Sequence, residues 1–282
     1  MSKLDKPISP DSIDESGPIK KSNVMKDDFG LEIPVESVPL PSRGVIYTTE
    51  GSLYNTETLD IKPMTAREED IMVSRAYIKN GTVITKLLQS CLSDKSIDPD
   101  DLISGDRNAL LIALRITGYG SNYDVELSCP ACGNNNKASF DLSELKIKRL
   151  EVDPVEMGKN MFEVTLPVTK KTVKVKFLTG HDEREMLIIS ERKKKKGLST
   201  QSSVTDRLNR SILSVEGITD KNKIKFFVDN MPARDSLSLR RFLDNYEPGV
   251  DMKSSFECSH CYEESEVEIP IGASFFWPDS WK

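Results

Sequence analysis

Histidine is nearly missing from this 282-residue chain: only His181 and His260 occur. Two histidines this far apart do not make a catalytic constellation. Long hydrophobic runs are missing as well. The longest, such as Ala109 to Leu114, fall far short of the roughly 20 residues that span a bilayer, so no transmembrane helix is expected. The opening residues, MSKLDKPISPDSIDESGPIKK, carry no apolar stretch and no small-residue cleavage site, and no secretory signal is read there. Positive charge is in deficit: Lys+Arg number 39 against 45 Asp+Glu, giving a net charge of -6 and a pI near 5.3. That balance lacks the domain-wide cationic field of general phosphate binders, which makes nucleic acid a poor first candidate. No glycine-rich loop followed by Lys and Ser or Thr is present, and Gly118-Tyr-Gly120 is too short for a dinucleotide fingerprint.

What remains is a globular composition, 37% hydrophobic and 30% charged with a mean hydropathy of -0.41. Residues 1–35 carry Pro7, Pro10, Gly17, Pro18 and Pro34 among scattered charges, with too few large apolar groups to offset ordering entropy, which predicts a flexible tail. Strand-like character around Val38 to Tyr47 and alternation from Glu57 to Lys62 predict an irregular hairpin. Thr65 followed by Glu68, Glu69 and Asp70 supplies a helix cap and first-turn acids, predicting a helix to about Lys79. A short helix over Val83 to Leu92 should present Ile84, Leu87, Leu88 and Cys91 on one face. Arg107 to Ile116 reads as a core helix with Leu110, Leu111 and Leu114 as its buried stripe. Two strand-like runs, Tyr123 to Ser128 and Lys137 to Leu142, flank Cys129-Pro-Ala-Cys132-Gly133 in a zinc-ribbon-like hairpin.

Much of this order returns downstream, as an internal repeat would require. Val173 to Gly180 followed by His181-Asp-Glu-Arg-Glu185 mirrors Leu59 to Ala66 followed by Arg67-Glu-Glu-Asp-Ile71. Asp106, Gly120, Cys129 and Cys132 recur as Asp235, Gly249, Cys258 and Cys261, all displaced by one larger interval, so the second copy must hold an insertion. The basic and polar run Arg192 to Ser203 is one candidate, expected as a solvated loop, and the stretch around Thr219 to Lys225 is another. A hairpin from Met161 to Leu166 and Thr172 to Phe177 would stand where Val45 to Lys62 stands in the first copy. The expected fold is α+β, a tandem pseudo-repeat of β-hairpin, helices and zinc-knuckle hairpin, with a first repeat over 36–148 and a second over 149–282.

The metal chemistry follows from the cysteines. In a reducing compartment five of them are poorly placed to form structural disulfides, and four fall into two Cys-x-x-Cys pairs. Each pair lets two thiolates converge on one ion from a tight turn, and zinc takes four ligands at tetrahedral vertices. Cys129, Cys132, Cys258 and Cys261 are therefore the expected ligands of one structural zinc shared between the copies. Other metal arrangements and metal-free thiols are the alternatives. His260 lies within the second knuckle, where a side chain usually points away from the ion, and His181 reads as a solvated residue at a helix start. Cys91 reads as a small core hydrophobe. Asp98-Pro-Asp-Asp101 lacks the alternation and closing Glu of a calcium loop and reads as a helix-start cluster. Phe275-Phe-Trp277-Pro-Asp-Ser-Trp281 either folds back onto the core or anchors another protein.

One group of motifs carries a resemblance. Leu40-Pro-Ser-Arg-Gly44 with Tyr47, Lys62-Pro-Met-Thr65 with Glu68-Glu69-Asp70, Asp106-Arg107, Arg115 with Gly118-Tyr-Gly120 and Tyr123, and Cys129-Pro-Ala-Cys132-Gly133 follow in that order. Together they resemble the baseplate hub and hub assembly proteins of T-even-like contractile-tailed bacteriophages, most clearly over Leu40 to Gly133. The resemblance implies a non-enzymatic scaffold or assembly factor of the baseplate hub. Its implied partners are other hub and tail proteins; with the short apolar runs and acidic balance above, no membrane and no small-molecule substrate are expected, and nucleic acid is disfavoured. Its implied location is the host cytoplasm during assembly and the virion tail baseplate. The alternative is a zinc-ribbon nucleic-acid-binding regulator, supported by the knuckles and the lysine run and opposed by the acidic pI. A metalloenzyme would need an open coordination position, which four cysteines close.

Overall fold

A computed structural model of the chain describes residues 20–26, 32–195, 204–271 and 275–276. The first half opens with an antiparallel sheet ordered β1 (Lys20–Lys26), β2 (Glu32–Pro39) and β3 (Thr58–Ile61). β1 and the first four residues of β2 thus lie inside the segment expected to be a flexible tail; its residues 1–19 and 27–31 fall outside the described ones. Val35 and Val38 are buried, and that apolar pair together with β-pairing outweighs the local proline content. The hairpin partner of β3 is therefore β2, not the Val45 to Tyr47 run. Arg43 and Gly44 both have positive φ (54° and 72°), so the chain turns where a strand was expected. A Cβ on Gly44 would stand 2.4 Å from main-chain atoms of Leu53 and Thr56, so only glycine fits that turn.

Helix α1 (Ala66–Val73) starts where expected, with the Thr65 N–H donating to Glu68 Oε2 (2.9 Å). It stops at Ser74, whose ψ of 109° is extended, and α2 (Arg75–Asn80) follows as a separate short helix. α3 (Val83–Cys91) buries Thr85, Leu87, Leu88 and Cys91, while Ile84 is left exposed. The face turns by one residue because the Thr85 hydroxyl reaches the buried Asp100 carboxylate (2.6 Å). α4 (Ser104–Tyr119) is buried continuously from Ala109 to Arg115, as befits a helix at the centre of a core. Its last turn is held by Arg115, which donates to the carbonyls of Gly120 (2.6 Å) and Asn122 (2.9 Å). β4 (Asn122–Ser128) and β5 (Asn135–Asp141) then form the first long hairpin.

β6 (Ile147–Lys148) leads to a second sheet ordered β7 (Phe162–Thr165), β8 (Thr172–Val175) and β9 (Ile212–Val215). Between β8 and β9 lie α5 (Gly180–Lys195) and α6 (Val204–Ser211). Arg192 to Lys195 belong to α5 and not to a loop. Lysine and arginine are good helix formers, and Lys193 pairs with Asp206 (2.6 Å) at the start of α6. The remainder of the expected loop, 196–203, lies outside the described residues. α7 (Lys221–Asp229) begins at Asp220, whose carboxylate accepts the N–H groups of Asn222 and Lys223, both at 2.9 Å. α8 (Ala233–Tyr246), β10 (Gly249–Val250) and a second long hairpin, β11 (Lys253–Glu257) with β12 (Glu264–Glu268), complete the chain. The architecture is α+β.

A single hydrophobic cluster runs through both halves, from Val38, Leu88 and Leu111 to Phe162, Leu239 and Phe275. The halves are also joined by main chain. β6 pairs with β10, the Ser104 N–H donates to the Leu178 carbonyl (2.8 Å), and the Gly180 N–H donates to that of Leu102 (3.0 Å). Of the C-terminal aromatics, Phe275 packs edge-on against Tyr123 with ring centroids 5.2 Å apart, and Phe276 is buried beside it. Trp277 and Trp281 fall outside the described residues.

Several bonding patterns occur once in each half. The Leu40 N–H donates to Glu57 O (2.8 Å), as the Leu166 N–H does to Lys171 O (2.9 Å). Lys62 N–H donates to Cys91 O as Lys176 N–H does to Ser211 O, both at 2.8 Å. Thr65 and Thr179 each donate a main-chain N–H to the acid three residues on, Glu68 and Asp182. Asp106 and Asp235, at the same place near the starts of α4 and α8, are both buried and both accept N–H groups from the loop after a Leu-Pro pair.

At Asp106, burial raises the carboxyl, opposed by hydrogen bonds from Ser42 and Tyr47. At Asp235, burial again works upward, but the Val168 and Thr169 N–H groups prevail and hold it below the usual range. Replacing Asp106 with alanine leaves the Ser42 N–H, the Ser42 hydroxyl and the Tyr47 hydroxyl without their acceptor. A loss of about 2–4 kcal/mol is expected from denaturant unfolding.

Candidate metal centre

The two long hairpins end in turns built by the same main-chain bonds. Cys129 N–H donates to Asn134 O (2.9 Å) and Gly133 N–H to Cys129 O (2.9 Å). In the other hairpin Cys258 N–H donates to Glu263 O (3.1 Å) and Tyr262 N–H to Cys258 O (2.9 Å). Each turn folds its two cysteines toward the same side, and the hairpins meet there. All four Sγ atoms lie within 4.8 Å of one another, with Cys129 and Cys261 at 3.8 Å and Cys132 and Cys258 at 3.7 Å. The four cysteines are free thiols.

These spacings can be tested against a metal. Four sulfurs about 2.3 Å from a central zinc define a tetrahedron whose edges are about 3.8 Å. The two cross-hairpin distances match that edge, and an all-sulfur donor set suits a soft or borderline cation. The residues therefore fit a closed, four-coordinate ion. In each pair the first cysteine is buried and the second exposed. Cys129 and Cys258 pack with Phe256 against Ala138 and Val267, which also touch the main cluster, so the sulfurs sit on a small apolar floor continuous with the core.

A neighbouring side chain ties the turns together. Asn136 on β5 is buried, and its Oδ1 accepts the Ser259 N–H (3.0 Å) and the Ser259 hydroxyl (2.7 Å) of the opposite turn. The Cys258 thiol lies 3.6 Å from the same oxygen, and the His260 N–H donates to Cys258 Sγ (3.4 Å). Burial works to raise the Cys258 thiol, yet the N–H groups of Cys261 and His260 and the adjoining thiols bring it down to about 6. Cys261 moves the other way. The Glu263 N–H lowers it, but burial and the thiols of Cys258, Cys132 and Cys129 push it up to about 12. One thiolate thus forms readily and its neighbour resists, a repulsion that a bound cation relieves while displacing the remaining protons.

The other residues singled out in the sequence lie elsewhere. His260 bonds to the centre only through its main-chain N–H. His181, at the start of α5, sits 3.1 Å from Asp101 and next to Arg184. Cys91 is buried in the main core, where burial and then the Glu68 charge push its thiol up to about 12, so it is a packing residue. In the aspartate cluster, Asp100 is buried and takes both Arg107 (3.5 Å) and Arg184 as partners. Arg107 also reaches Glu183 (3.2 Å), so Asp100 is an ion-pair node between the halves. Sequence reasoning missed Asn136 and this node. The polar run Gly133 to Asn136 was the available signal for the first; the second joins residues too far apart for spacing to reveal.

These features define an α+β protein whose two hairpins converge on a four-cysteine cluster, with no helix among the described residues long and apolar enough to cross a membrane. Residues 45–277 match the family of T4 bacteriophage base plate proteins, which is most of the chain, and the chain belongs to that family. It is a T4-like phage baseplate protein, and membership points to a structural role in the virion tail among other tail proteins. No curated protein and no solved structure matches it significantly.

Proposed function

We propose that this chain is a structural or assembly component of the baseplate hub, made of two pseudo-repeats fastened by one zinc ion on Cys129, Cys132, Cys258 and Cys261. The observation that carries the proposal is the meeting of four thiols, two from each half, at the edge lengths of a zinc–thiolate tetrahedron. The recurring bonds at Leu40 and Leu166, Thr65 and Thr179, and Asp106 and Asp235 support the duplication. A clasp of this kind turns two halves sharing one core into a rigid block, which is what a part that positions others requires.

Proximity labelling of the chain during infection tests the hub assignment, with quantitative mass spectrometry of purified virions as the companion measurement. Labelling of central baseplate proteins is expected, and recovery in virions separates a resident part from an assembly factor. Labelling confined to nucleoprotein, together with salt-sensitive nucleic-acid binding by the purified chain, contradicts the proposal and favours the regulator.

A further inference from the structure

The two cysteine turns differ at one telling position. Gly133 and Tyr262 both occupy the left-handed region, with φ of 73° and 58°, and both donate their N–H to the first cysteine of their pair at 2.9 Å. Glycine adopts that conformation freely, whereas a tyrosine there is strained. A Cβ built on Gly133 meets nothing within 4 Å, so packing within such a turn gives no reason for a side chain. Tyr262 nevertheless projects its ring into solvent, 77% exposed, and its hydroxyl and ring have no hydrogen-bond or aromatic partner among the described residues.

The face around it carries a second cost. Glu257 and Glu264 stand directly opposite each other across β11 and β12, both exposed, an arrangement of like charges that destabilises a ladder. Glu263, Glu266 and Glu268 are exposed on the same hairpin, and Lys253, paired with Glu266 at 3.4 Å, is the cation among them. Strain and repulsion therefore coincide at one tip, and among the described residues neither Glu257 nor Glu264 has a cationic partner.

We propose that Tyr262 is an anchor by which the second hairpin docks on another protein of the tail, at a positively charged surface with a cleft for one aromatic ring. The inference rests on the baseplate reading and names the surface through which that role is exercised. Charge decides the occupant. The carboxylates repel nucleic acid and attract a lysine- and arginine-rich protein face, while the ring supplies the desolvated contact that dominates such interfaces. The four-cysteine turn beneath it holds the backbone from which the ring projects.

The test is in vitro complementation. Purified full-length wild-type and Tyr262→Gly chains are titrated into extracts of cells infected with a phage lacking this chain, and infectious particles are counted. Tyr262→Gly is expected to require about tenfold more protein or beyond for half-maximal rescue. Its Tm should be unchanged or up to about 4 °C higher, since a strained residue has been removed. Tyr262→Trp should keep most of the rescue, and Glu264→Lys with Glu266→Lys should weaken it. Rescue by Tyr262→Gly at the wild-type concentration overturns the proposal, and so does a lowered Tm, which would make Tyr262 a structural residue. If the wild-type chain itself restores no particles, the baseplate reading fails and the anchor falls with it.

Discussion

Replacing Cys258 with serine is expected to empty the cluster of metal and to lower the stability of both halves together. Serine keeps the size of the side chain and removes the thiolate, leaving three ligands around an ion that takes four. Structural zinc contributes about 10–16 kcal/mol of apparent binding free energy in small peptides, comparable with the whole 5–15 kcal/mol stability of a typical domain. Even a fraction of that corresponds to a Tm drop of about 10 °C or more for a chain of this size. Cys258 is the most informative of the four. It is fully buried, and its neighbour Ser259 is held by Asn136 of the other hairpin. Hydrogen exchange should therefore rise in β4 and β5 as well as in β11 and β12. A variant that loses protection only in the second hairpin would mean that the halves are not joined through the thiols.

Gly105→Ala is the second change with a large expected effect, opposite in sign to that of an exposed helical glycine. In an exposed first turn of a helix, alanine stabilises relative to glycine by about 1 kcal/mol. Here α4 lies against the chain entering β10, and a Cβ on Gly105 would fall 1.7 Å from the Pro248 carbonyl oxygen and 2.7 Å from its carbon. Both obstacles are backbone, so no side chain can swing aside. Either α4 retreats from β10, opening the core between the halves, or the β6–β10 pairing breaks. A destabilisation of at least about 4 kcal/mol is expected, beyond the usual range for a surface substitution. Urea denaturation of the two proteins checks it, and a stabilised Gly105→Ala would show that the halves do not approach as described.

Local signals were readable wherever one short stretch of chain decides the outcome. The Thr65 cap, the apolar run of α4 and the turn residues around Cys129 fixed their elements to within a few residues. Readings failed where a distant partner decides. Lys20–Lys26 is a strand because β2 is there to pair with it, and proline-rich surroundings hid that. Ile84 turned outward because Asp100, from another loop, claims Thr85. Arg192 to Lys195 looked like a loop because a run of like charge reads as solvated, yet a salt bridge to Asp206 and good helix propensity keep α5 going. At the cluster, the two Cys-x-x-Cys pairs marked four residues, but a separation of half the chain could not say whether they meet. Folding through a common core is what brings them within 4.8 Å.

On the proposed reading, one metal ion held by two cysteines from each half closes this fold. Metal analysis of the purified full-length chain, with X-ray absorption at the zinc edge, tests it most directly. The expected result is one zinc per chain in an all-sulfur tetrahedral shell. No zinc, two zinc ions, or a shell of nitrogen and oxygen donors would contradict it.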